Sequence, residues 1–177
     1  LTACAGIAFI KASYPFYYGY QLAEGLCGEA KKDTKAIHGA DTNYLPPSCM
    51  MFHKVQDSFI NDYRDIVDRE LTAKGDGLSF KAGPYYIHPQ DSKRTIDNLI
   101  NASELLNCEN GDGIRSGIRN WISLRLEDES KADQRKDRML QIFTNKDAIK
   151  LLTNEDNKSC IAYDVLAYYT ILNQQTK

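Results

Sequence analysis

No apolar run in this 177-residue chain approaches the ~20 residues that span a bilayer. Ala5–Ile10 is too short, and reads either as a fragment of core or as part of a signal h-region. There is no C-x-x-C, which argues against a zinc knuckle or a thioredoxin-type motif. H-E-x-x-H is missing too. The three histidines, His38, His53 and His88, lack ligand spacing, so neither a metal nor a cofactor is expected. An excess of one charge is absent as well: 22 Lys and Arg stand against 24 Asp and Glu, a net charge of -2. Nucleic acid, which requires a basic stripe, is therefore not an expected partner. Asn110-Gly111-Asp112-Gly113 does not follow the ligand order of a calcium loop. Gly111, Gly113 and Gly117 are spaced one residue too long for a dinucleotide fingerprint, so both stretches read as turns. No internal repeat or low-complexity segment is visible.

What is present is ordinary globular composition, 42% hydrophobic and 26% charged, in a length that supports a real core without help from cysteines. The chain opens Leu1-Thr2-Ala3-Cys4, the aliphatic–polar–small–Cys pattern of bacterial lipoprotein processing. Small side chains admit the scissile bond, and the thiol carries the diacylglycerol. On this reading Cys4 is lipidated, the membrane is met only through that lipid, and the compartment is the oxidising periplasm. Cys27, Cys49, Cys108 and Cys160 then form an even set expected to make two disulfides, with Cys49–Cys108 the favoured pair. Four buried thiols are the alternative.

Periodicity predicts an all-α fold, a compact bundle of five to seven helices with one irregular insertion at about 74–90. Residues 1–13 are read as a lipoprotein signal remnant or a first core segment, and 14–177 as a single helical domain. The first helix, 16–32, has the stripe Phe16, Tyr20, Ala23, Cys27 and Ala30, with Pro15 at its first turn. A second helix is expected from Ser48 to about Ala73, burying Phe52, Val55, Phe59, Tyr63 and Ile66. Tyr85-Tyr86-Ile87 suits a short strand. Further helices are expected from Asp91 or Ser92 to Cys108, over 128–143, from Asn145 to Leu152, and after Ser159. The stretch 118–127 fits helix or strand. Ile114, Ile118, Trp121 and Ile122 favour helix, as no partner strand is evident.

Cys49 and His53, four residues apart on the expected second helix, would face each other as a thiol and its base. Yet neither an oxyanion turn nor a third group accompanies them, and no catalytic residue is assigned. The aromatics point elsewhere. Tyr17 and Tyr18 fall off the first stripe, Tyr85-Tyr86 repeats the theme, and exposed tyrosine is enriched in binding surfaces. Tyr17, Tyr18, Tyr85 and Tyr86 are therefore the candidate contacts with a partner protein, with Glu24 and Asp91 placed to steer a basic one.

Phe16-Tyr17-Tyr18-Gly19-Tyr20 followed by Ala23 and Gly25 resembles the aromatic-Gly-Tyr opening helix of the Tai-type immunity proteins. Leu45-Pro46-Pro47-Ser48-Cys49 and Leu105-Leu106-Asn107-Cys108 are similar to that family's Cys/Leu-Pro and terminal cysteine motifs. The likeness covers about 16–108. Here Cys27 follows the Gly-Tyr pair instead of preceding it, 78–90 is an insertion, and 111–177 has no counterpart. The resemblance implies a small helical periplasmic protein that neutralises a type VI secretion toxin, an amidase or another class such as a lipase. A structural envelope lipoprotein is the alternative, followed by a cysteine- or metal-dependent hydrolase using Cys49, His53 and His88.

Overall fold

The computed structural model describes residues 2–38, 45–56, 62–91, 94–155 and 158–174, and the side chains of His38 and Gln174 are not among what is described. Leu1, Phe59 and Ser92, expected as a processing residue, a core residue and a possible helix start, lie outside these residues. The elements run β1 (Cys4–Phe9), α1 (Phe16–His38), β2 (Cys49–Lys54), α2 (Tyr63–Glu70), β3 (Tyr85–Tyr86), α3 (Ile96–Glu104), α4 (Gly111–Glu127), α5 (Glu129–Ile142), α6 (Lys146–Leu152) and α7 (Ala162–Gln174). The chain divides into two compact units, 1–66 with 83–97 and 67–82 with 98–177. The division falls inside α2 and at the start of α3.

The first unit overturns the all-α expectation. It holds a three-stranded sheet of order β1-β2-β3, with β1 parallel and β3 antiparallel to the central β2. A parallel pair needs a crossover, and α1 supplies it. Residues 49–54, expected to open a helix, instead pair along their length from Cys4↔Cys49 to Phe9↔Lys54. Their apolar spacing fits a helix face, but Cys49, Met51, Phe52 and His53 are all buried, as suits a strand covered on both faces. The 1–13 segment, read as a possible signal remnant, contributes β1 to this sheet.

Strand alternation sorts the side chains into two sets. Cys4, Gly6 and Ala8 share a face with Cys49, Met51, His53 and Tyr86, and this face meets α1. Phe9, Phe52 and Tyr85 stack on the other, with ring centroids 6.2 and 6.0 Å apart. The run of small residues in β1 lets the helix come close. A Cβ on Gly6 would coincide with the Ala23 carbonyl oxygen and the Cys27 amide, both backbone atoms of α1.

α1 is longer than expected, and its buried stripe is also different. Gly19, Leu22, Leu26, Ala30 and Thr34 are covered, while Phe16 and Tyr20 of the expected stripe are exposed. Leu22, Leu26 and Ala30 recur every four residues, and this aliphatic ridge packs on the small residues of β1 more closely than the aromatics could.

The second unit is helical. α4 is its centre and packs on α5, α6 and α7, burying Ile114, Ile118, Trp121 and Ile122, so residues 118–127 are helix. Phe80 meets Trp121 edge-on at 5.8 Å. Asp128 caps α5 through the Lys131 amide, and Asn145 caps α6 through the Ala148 amide at 3.1 Å. Ser159, expected to cap α7, donates to the Lys81 carbonyl at 3.3 Å.

Candidate functional site

Two features of the first unit stand out, an aromatic face and a thiol cluster. The aromatic face forms because Pro15 starts α1. Its carbonyl accepts from the Tyr18 and Gly19 amides at 3.2 and 3.4 Å, which fixes the helix register. Gly19 is turned inward, where an added Cβ would lie 2.9 Å from Ile10 Cδ1. With that side committed to the sheet, Phe16, Tyr17, Tyr18 and Tyr20 turn to solvent with relative exposures of 78, 63, 43 and 56%. These side chains are ordered against each other. Tyr18 sits edge-on to both Tyr17 and Tyr14, with centroids 5.7 and 6.5 Å apart. Tyr17 accepts a hydrogen bond from Gln21 Nε2 at 2.8 Å. Tyr14 is partly covered, and its phenol is shifted above the ordinary value by that burial and by Tyr18.

Of the residues read as contacts, Tyr17, Tyr18, Glu24 and Asp91 are exposed. Glu24 lies two turns beyond Tyr17, on the same side of α1. Tyr85 and Tyr86 are fully buried in β3 and take no part in this surface. A two-residue strand beside β2 places both rings inside the unit, one on each face of the sheet. Phe16 and Tyr20 were missed because the aromatic spacing had been read as core. The aliphatic ridge of Leu22, Leu26 and Ala30 was the signal that would have found them.

The thiol cluster lies under α1 at the start of the two parallel strands. Cys4 Sγ is 3.8 Å from Thr34 Oγ1, Cys27 Sγ points at the Cys4 carbonyl at 3.5 Å, and Cys49 Sγ points at the Ala30 carbonyl at 3.7 Å. Tyr86 donates from its hydroxyl to Asp33 Oδ1 beside them. Burial, the neighbouring Cys4 thiol and the Asp33 carboxylate push the Cys49 thiol up to about 12. Burial and the bond to Asp33 likewise raise the Tyr86 phenol. These pressures hold the Cys49 thiol and the Tyr86 phenol protonated.

All five cysteines are free thiols in this structure, including the Cys27, Cys49, Cys108 and Cys160 read as two disulfides. Cys108 and Cys160 belong to the second unit, where Cys160 is buried with its Sγ 3.2 Å from the Leu152 carbonyl. Cys4, read as the lipid attachment point, is the first residue of β1, and its thiol faces α1.

The thiol–base pair is lost with the helix that was to hold it. On a strand, Cys49 and His53 are separated by roughly 13 Å at ~3.3 Å per residue. His53 is buried with its ring 6.1 Å from that of Tyr63, and burial lowers its pKa to about 4. His88 is exposed. Among the described residues no group of three or more His, Cys, Asp or Glu is arranged to hold a metal ion, and no helix is long and apolar enough to cross a membrane.

His53 has a measurable consequence. Its folded pKa lies below its unfolded value of about 6.5, so the unfolded chain binds the extra proton first. Stability is then full above pH ~6.5 and declines as the pH falls toward ~4. Urea midpoints measured across this range should fall for the wild type. In His53→Leu the part of the slope between these two values should disappear.

No protein-family model matches the chain, and no curated protein matches it.

Proposed function

We propose that this chain is a protein-binding inhibitor acting in the bacterial envelope, which neutralises a secreted antibacterial toxin through the aromatic face of α1. The observation that carries the reading is the exposure of Phe16, Tyr17, Tyr18 and Tyr20 within a turn and a half of one helix. A contiguous exposed apolar patch marks an interaction site, and tyrosine gives large contact area for little lost side-chain freedom. The mutual packing of Tyr14, Tyr17 and Tyr18 and the Gln21 bond lower that cost further, since the rings are held before any partner arrives. Glu24 on the same side of the helix adds a negative charge, which favours a basic partner and mainly raises its on-rate. The Tai-like opening motif supplies the toxin class: a type VI secretion effector, amidase or otherwise.

Co-purification from the source strain tests the reading. The chain is expected to come out bound to a toxin encoded beside it. Tyr17→Ala should weaken that complex by about 2 kcal/mol, near thirtyfold, while leaving the unfolding midpoint unchanged, because the ring is exposed. Recovery as a lone monomer with no toxin gene nearby would leave a structural envelope role ahead.

A further inference from the structure

We infer that Cys4 and Cys49 form a disulfide across the two parallel strands, making the start of the β1–β2 pair an oxidation site. Three observations converge on this pair. The two residues are direct Cα partners in the sheet register. Adjacent strands lie about 4.8 Å apart, within the ~4.4–6.8 Å that a disulfide spans. Both sulfurs point to the same face, since Cys4 Sγ approaches Thr34 and Cys49 Sγ approaches Ala30, neighbours on α1. The Cys4 thiol is among the neighbours that raise the Cys49 thiol. Cys27 is the third thiol of the cluster, but its sulfur is directed at the backbone oxygen of Cys4.

The co-reactant is an external disulfide, RS–SR. Cys4, less buried than Cys49, loses its proton and attacks one sulfur of the donor, forming a mixed disulfide and releasing one RS⁻. Cys49 then loses its proton, attacks the Cys4 sulfur and releases the second RS⁻. Two electrons pass to the donor, which takes up the two protons and leaves as two RSH. The raised pKa of Cys49 lowers its thiolate fraction and so slows the second step. The bond would tie the N-terminal strand to the sheet centre and hold β1 beneath α1, which carries the aromatic face. This inference rests on the geometry of the thiols alone and stands whether or not that face binds a toxin.

The test uses the full reduced chain and oxidised glutathione as the donor, followed by denaturation, alkylation under denaturing conditions and peptide mapping without reduction. The expected result is a linked pair of peptides containing Cys4 and Cys49, with Cys108 and Cys160 alkylated. Cys27→Ser should keep the link, and Cys49→Ala should trap glutathione on Cys4. A bond that includes Cys27, or both Cys4 and Cys49 alkylated after oxidation, would overturn the assignment. So would a diacylglycerol thioether at Cys4 in protein isolated from its source.

Discussion

Gly6→Ala is expected to destabilise the protein by about 3 kcal/mol or more, although the new methyl group is apolar and faces the core. The added Cβ would fall on the Ala23 carbonyl oxygen and the Cys27 amide, with Leu26 Cβ at 3.0 Å. Overpacking costs ~1–3 kcal/mol when flexible side chains can give way. Here the obstacle is the backbone of α1, held by its own hydrogen bonds, so the strand and helix must separate. The opposing gain, a less flexible unfolded chain, is only ~0.4–1 kcal/mol. Gly28→Ala in the same helix is the control, because nothing beyond the local helix backbone lies within 4 Å of its added Cβ. That substitution should stabilise by roughly 0.5–1 kcal/mol through helix propensity. Urea unfolding of the two variants gives the comparison, and equal midpoints would show that β1 does not lie directly on α1.

Arg125→Ala is expected to cost about 3 kcal/mol through a different mechanism. The guanidinium is 2% exposed on α4 and binds two separate loops. It reaches Asp76 Oδ2 at 2.7 Å in the turn after α2, and Glu155 Oε1 at 2.7 Å beyond α6. Both contacts are two-pronged, with second bonds of 3.1 and 3.0 Å. Removing one partner of a buried pair costs ~3–5 kcal/mol, mainly from the charge left behind. The lower end applies here, as the Asp76 and Glu155 side chains are 38% and 33% exposed and regain water.

The same cluster has a pH signature. The hydrogen bond from Arg125 lowers the Asp76 carboxyl from 3.8 to about 2. Because the folded pKa is the lower one, this stabilisation is present above pH ~4 and is lost as the pH falls toward ~2. Arg125→Ala should remove that acid-dependent loss. Acid titration of wild type and variant below pH ~4, followed by circular dichroism, measures it. Unchanged acid midpoints would mean that Asp76 is not held by Arg125 in solution.

Most of the second unit was legible in the sequence because its contacts are local. Ile114, Ile118, Trp121 and Ile122 repeat at helical spacing, and the Asn145 cap and the short helix it opens follow from residues three apart. The short strand at Tyr85-Tyr86 was also readable from its aromatics and the turn signals beside it. What local pattern could not show was partnership at a distance. β1 and β2 are separated by the whole of α1, and within 49–55 the spacing of Phe52 and Val55 fits a helix as well as a strand. Only pairing with 4–9 decides between them. The aromatic face followed the same rule. Exposed aromatics in 16–20 were expected, but which of them are exposed depends on which ridge of α1 meets the sheet.

The sequence by itself determined that the chain has a core, that the segments around 128–143 and 145–152 are helical, and that the opening of α1 is unusually aromatic. All of these follow from residue type and spacing within a few turns. The tertiary structure alone decided that the first unit is a sheet covered by a helix. It also brought Cys4, Cys27 and Cys49 together and buried Tyr85 and Tyr86. These depend on which distant strand supplies the missing hydrogen bonds, and a backbone donor carries no mark in the sequence of the acceptor it will find.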